Sequence, residues 1–162
     1  MRLSVALFVA CVMSVGARLV ADERRPLPAF TVVAPTGVSV ASAQLSTEPH
    51  PLLVYVVPDC RACDRLIAAL IDWQPTLPAN RLVVIIGAST EAARTYAQDR
   101  HIAGTTTISW YADPLQTGAS ALGVRHMPAL VAVDNDRIEW TVSGVLNAPG
   151  ALESIVRSWT AR

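Results

Sequence analysis

Two cysteines separated by two residues, Cys60-Arg61-Ala62-Cys63, stand where an apolar run gives way to a helical pattern. Leu52 to Val57 is short, β-branched and aromatic, with prolines at both ends, as expected of a strand buried on both faces. Pro58 stops it. From Asp59 onward the apolar positions take helical spacing, with Cys63, Leu66, Ile67, Leu70 and Ile71 in one stripe and Arg61, Asp64, Arg65 and Asp72 on the other side. The cysteines therefore sit at a strand-to-helix junction, where unpaired N–H groups and the positive end of the helix dipole stabilise a thiolate. The spacing divides the work: Cys60 is the exposed nucleophile of the first turn, and Cys63, almost a turn deeper, can attack a mixed disulfide at Cys60 and release the partner.

Two plainer uses of such a pair fare worse. A structural disulfide over only two intervening residues removes little chain entropy. Half of a zinc site needs two further ligands, but the chain has no second cysteine pair and its 3 histidines are scattered. Redox chemistry is the reading that remains, with the Cys60–Cys63 disulfide itself as the redox group, no metal and no separate cofactor.

The rest of the chain must position that pair. With 162 residues, 52% hydrophobic and 16% charged, there is material for one domain with a sizeable core. Formal net charge is zero and all 13 basic residues are arginine, which suggests neither a nucleic-acid partner nor a polybasic membrane patch. At the N-terminus, Arg2, the apolar Leu3 to Val15 and the small residues Val15-Gly16-Ala17 read as an export signal over 1–17, cleaved after Ala17 or after Ala21. A short membrane anchor is the rival; the uninterrupted apolar stretch ends at Arg18, short of the roughly 20 residues a spanning helix needs. Lipid attachment at Cys11 fits poorly, because the apolar run continues beyond it. Export to an oxidising compartment implies that Cys60 and Cys63 are paired at rest and that a working reductase draws electrons from outside.

A linker is expected over 18–26 and a single domain over 27–162, opened by a hairpin of Phe30–Ala34 and Val38–Val40. After the cysteine helix, Arg81–Gly87 reads as a second buried strand and the segment EAARTYAQDRHI as a helix capped by Ser89 or Thr90. Thr105–Tyr111 reads as a third strand, and Leu115–Leu122 as a short helix closed by Gly123. Ala129–Val133 and Arg137–Val142 form a hairpin about Asp134-Asn135-Asp136, and a last helix carries Leu152, Ile155, Val156 and Trp159. Alternating strands and helices with a final hairpin imply an α/β fold, a central mixed β-sheet with helices on both faces and an N-terminal β-hairpin.

With Cys60-Arg61-Ala62-Cys63 after one buried strand and Met127-Pro128 just before another, the chain resembles the thioredoxin superfamily, and within it the TlpA/ResA-like exported thiol–disulfide oxidoreductases. The resemblance runs from about Leu27 to Trp159 and implies a thioredoxin-like three-layer sandwich. It also implies that Pro128 is cis and faces the cysteines, that protein disulfides are the substrates, and that a membrane thiol-electron donor or acceptor lies upstream. Reduction of particular protein disulfides is the implied direction. Relatives have an aromatic residue before the first cysteine and often a polar or acidic one six positions earlier; here these are Asp59 and Val54. Asp59 reads as the helix N-cap, its charge opposing ionisation of Cys60 while Arg61 favours it. The Pro-x-Cys-x-x-Cys pattern is also similar to the thioredoxin-like accessory protein of methylamine utilisation, which would make the chain a maturation factor for a periplasmic dehydrogenase. His126 and Met127, next to Pro128, are a solvent-edge loop, a proton relay, or, with Cys60 and Cys63, ligands of a copper chaperone.

Overall fold

The computed structural model describes residues 24–144 and 149–162; the expected export segment over 1–17 lies outside them. In chain order the strands are β1 (Arg25–Pro26), β2 (Thr31–Val33), β3 (Ser39–Ala41), β4 (Leu52–Val56), β5 (Leu82–Ile86), β6 (Ile108–Ala112), β7 (Ala129–Asp134) and β8 (Arg137–Ser143). The helices are α1 (Arg61–Trp73), α2 (Thr90–Asp99), α3 (Thr117–Leu122) and α4 (Pro149–Thr160). All strands join one sheet in the order β1-β8-β7-β4-β5-β6-β2-β3.

Every residue of β4 and β5 is buried, which is why both read as continuous apolar runs rather than alternating ones. They pair in parallel, as do β5 and β6, while β7 runs antiparallel to β4. One face of the sheet presents Leu52, Val54 and Val56 to α1, α2 and α4, in a core that also holds Cys63, Tyr96, Val156 and Trp159. The other face presents Leu53, Tyr55 and Ile85 to Phe30, Val32, Ala119 and Leu122. Helices thus cover both faces, as the sequence implies.

Local chemistry sets the boundaries. Ser89 caps α2, its hydroxyl accepting the Ala92 N–H at 3.2 Å. That helix ends at Asp99, sooner than the expected His101-Ile102, because His101 takes a left-handed φ of 57°. The third strand begins at Ile108 instead of Thr105, whose hydroxyl bonds the Ile102 and Ile108 carbonyls and so closes the turn. The β7–β8 turn has φ of 48° at Asn135 and 59° at Asp136, the two positive values that a tight hairpin requires.

Residues Arg25 and Pro26, at the end of the segment read as linker, form the outermost strand, opposite Ile138 and Arg137. Nothing in their pattern announces a strand, since two residues are too few to alternate. The Arg25 guanidinium also donates to the Leu122 carbonyl at 2.7 Å, at the end of α3. Among the described residues no helix is long and apolar enough to cross a membrane.

Candidate active site

Pro58 and Asp59 make the turn that ends β4, and Asp59 is exposed with φ 59°, a conformation aspartate tolerates better than most residues. Its expected role as the N-cap is therefore corrected: the cap is Cys60, one residue on. The Cys60 backbone is extended, and its sulfur accepts the N–H of Cys63 at 3.1 Å, as a capping oxygen would. The Asp64 N–H completes the first turn by donating to the Cys60 carbonyl at 3.0 Å.

Cys60 and Cys63 are disulfide-bonded, with their Cα atoms 5.1 Å apart. Cys63 is 0% exposed and lies among Leu66, Ile67 and Leu70, whereas Cys60 is half-buried at the edge of the same core. Only one of the two sulfurs is presented to a reactant. Arg61 beside it is exposed. Val54 is fully buried in the apolar layer that holds Cys63, so that position puts no carboxylate beside the inner sulfur.

The second half of the site comes from the segment leading into β7. Its register pairs Ala129 with Tyr55, so the next step along each strand sets Pro128 across from Val56, at the end of the sheet from which the cysteine turn emerges. The Met127–Pro128 peptide is cis, Pro128 is buried, and its carbonyl accepts the Gly144 N–H at 2.8 Å. Met127 is half-buried against both cores and Cys60 packs against one of them, so the loop and the disulfide border common apolar ground. Arg125 and His126 are exposed. His126 lies beside Gly144, where an added Cβ would be 3.9 Å from the histidine Cβ. Among the described residues no three His, Cys, Asp or Glu side chains converge to hold a metal ion, so His126 does not join the two sulfurs in such a group.

A cluster that the sequence reading missed ties the first turn of α1 to α2. Asp64 is bound by Arg100 and by the Tyr96 hydroxyl, and Arg100 holds its carboxyl below the usual carboxylate range, the Tyr96 bond acting the same way against some desolvation. Tyr96 and Arg100 are four apart and share a helix face, a weak signal; their partner 32 and 36 residues away leaves no local trace.

On the opposite face, Asp113 is 0% exposed and accepts from the Tyr55 hydroxyl at 2.8 Å, from the Gly118 N–H at 2.8 Å and from the Thr117 N–H at 3.0 Å. It thereby starts α3, whose end leads into the Pro128 loop.

Neither a family model nor a curated protein matches this sequence. Solved structures do. A secreted Mycobacterium tuberculosis disulfide oxidoreductase homologous to E. coli DsbE superposes with TM-score 0.65 at 19% identity, over 80% of this chain and 95% of that one. MTB DsbF gives 0.65 at 19%, over 81% and 95%. A DsbF homologue from Corynebacterium diphtheriae gives 0.60 at 22%, over 82% and 86%. At such identities the likeness is one of fold: the chain has the thioredoxin-like fold, and its structural neighbours are DsbE- and DsbF-like proteins.

Proposed function

We propose that this chain is an exported thiol–disulfide oxidoreductase that reduces particular protein disulfides through Cys60 and Cys63. The observation that carries the reading is the unequal placement of the two sulfurs: Cys60 is half-buried and takes an N–H from the helix start, whereas Cys63 is fully buried behind it.

The chemistry follows from that arrangement. In the reduced protein the Cys60 thiolate attacks one sulfur of a client disulfide, and the other client sulfur leaves as a thiolate and takes up a proton. Cys63 then loses its proton and attacks the Cys60 sulfur, which expels the second client sulfur and closes the Cys60–Cys63 disulfide. Two electrons and two protons pass to the client. An upstream dithiol donor, held in or at the membrane, restores the reduced pair by the same exchange in reverse. The helix N-terminus acts on the first step by stabilising negative charge on the attacking sulfur.

Asp59, exposed beside Cys60, and Arg61, exposed after it, tune that charge in opposite senses. Met127, His126 and Pro128 form the ledge along which an extended client segment lies. Support for the reducing direction comes from the absence of a histidine between the cysteines and from the Asp59 charge, both of which disfavour the strongly stabilised thiolate of an oxidant. Export, with a tether if residues 1–17 are retained, follows from the N-terminal pattern and agrees with the secreted Mycobacterium tuberculosis neighbour.

Equilibration with glutathione buffers tests the direction. A reductase is expected near thioredoxin's potential of about −270 mV, and a value near the about −120 mV of a strong oxidant would overturn it.

A further inference from the structure

The first turn of α1 and the last turn of α2 meet over three side chains. Arg100 donates to Asp64 along two parallel bonds, Nε to Oδ1 at 2.9 Å and Nη2 to Oδ2 at 3.0 Å, while the Tyr96 hydroxyl donates to Oδ1 at 3.0 Å. A fork-to-fork pair fixes orientation as well as distance. Tyr96 is itself anchored in the core that contains Cys63, and the Arg100 guanidinium carbon lies 5.4 Å from the centre of its ring.

Asp64 follows Cys63 directly and comes four residues after Cys60, about one helical turn. A bare carboxylate at that range opposes a thiolate on Cys60. Paired with Arg100, it presents little net charge. The other charged side chains on the same segment are Asp59, Arg61 and Arg65, all exposed, and the loop before Pro128 carries the exposed Arg125 and His126. From β4 the side chains on this face are Leu52, Val54 and Val56, all apolar. Among the described residues, Asp64 alone of these side chains is held by partners on another helix.

Resting on the oxidoreductase reading above, we propose that Arg100 is a positioning residue for the dithiol. From α2 it holds and neutralises Asp64 one turn from Cys60, and so sets how readily Cys60 becomes a thiolate and how reducing the Cys60–Cys63 couple is.

Two substitutions break the same pair from opposite sides. Arg100→Met leaves Asp64 uncompensated, and Asp64→Asn leaves Arg100 uncompensated. Thiolate absorbance of the reduced proteins across pH, together with their equilibria in glutathione buffers, reads the result. Arg100→Met should raise the pKa of Cys60 and shift the equilibrium about three- to tenfold toward the disulfide; Asp64→Asn should move both quantities the other way. Tenfold corresponds to about 30 mV. Arg100→Lys, which keeps the charge without the fork, should stay within about twofold of the parent and covers the case in which Arg100→Met fails to fold. A purely mechanical brace would weaken the fold alike in both variants and leave the two pKa changes equal in sign or absent, which overturns the proposal. If the parent protein does not exchange with glutathione at all, the oxidoreductase reading fails; if it exchanges and the variants do not diverge, only the role of Arg100 fails.

Discussion

Cys63 donates its backbone N–H to the sulfur of Cys60 across 3.1 Å, so the turn that brings the two sulfurs together also aims a hydrogen-bond donor at the one that meets solvent. The inner sulfur has no comparable access, being 0% exposed. On the proposed function, attack on a client therefore falls to Cys60 and resolution to Cys63.

That division predicts the trapping pattern. Cys63→Ser should form mixed disulfides with clients that cannot resolve and accumulate, whereas Cys60→Ser should trap almost none. Non-reducing electrophoresis of the two variants reads the outcome. Equal trapping by both would refute the assignment of roles.

Gly118 has no room for a side chain. An added Cβ would lie 2.9 Å from Asp113 Oδ2 and 3.2 Å from the Phe30 ring. Gly118→Ala should destabilise the fold by about 1–3 kcal/mol despite the better helix propensity of alanine, because the buried carboxylate must shift away from its donors. Urea unfolding measures it, and a gain in stability would show that α3 moves freely.

Alkaline pH should unfold the protein through its tyrosines. Burial, then the Asp113 hydrogen bond, raises the Tyr55 phenol well above its ordinary value; burial, then Asp64, does the same at Tyr96, and burial raises Tyr111. A phenol whose folded pKa is raised contributes fully below the unfolded value, about pH 10, and its contribution is lost as pH climbs from there toward the folded value. Asp64, lowered, behaves in the opposite sense: its contribution is present above about pH 4 and is lost as pH falls through the folded value. Phenolate absorbance should thus lag until unfolding and rise with it. A smooth titration near pH 10 in folded protein would count against this account.

Arg25 ties the N-terminal strand to the Leu122 carbonyl, where α3 hands the chain to the Pro128 loop. Arg25→Ala should remove about 1 kcal/mol and speed amide exchange in residues 123–127 more than in the central strands. Uniform acceleration would mean that the contact serves the whole fold instead of the loop.

How much of this was legible depended on whether the signal was local. β4 announced itself through an uninterrupted apolar run bounded by prolines, β5 through one closed by Gly87, and α1 through a stripe that included Cys63, so the position of the disulfide followed from the sequence. The cap did not, because aspartate is an excellent N-cap and also one of the few residues that accept a left-handed turn; in the folded chain the second property decided at Asp59. Arg25 and Pro26 depend on strand partners 113 and 111 residues away, and Asp64 on Arg100 36 residues away, distances at which composition and periodicity are silent.

Pro26 has a further consequence for how copies of this protein meet. It sits in the outermost strand of the β8 side of the sheet, and a proline there offers no N–H to an incoming strand. Among the described residues, a second molecule trying to extend the sheet past β1 would find a template two residues long with a donor missing. That side of the sheet, among the described residues, is thereby guarded against edge-to-edge aggregation.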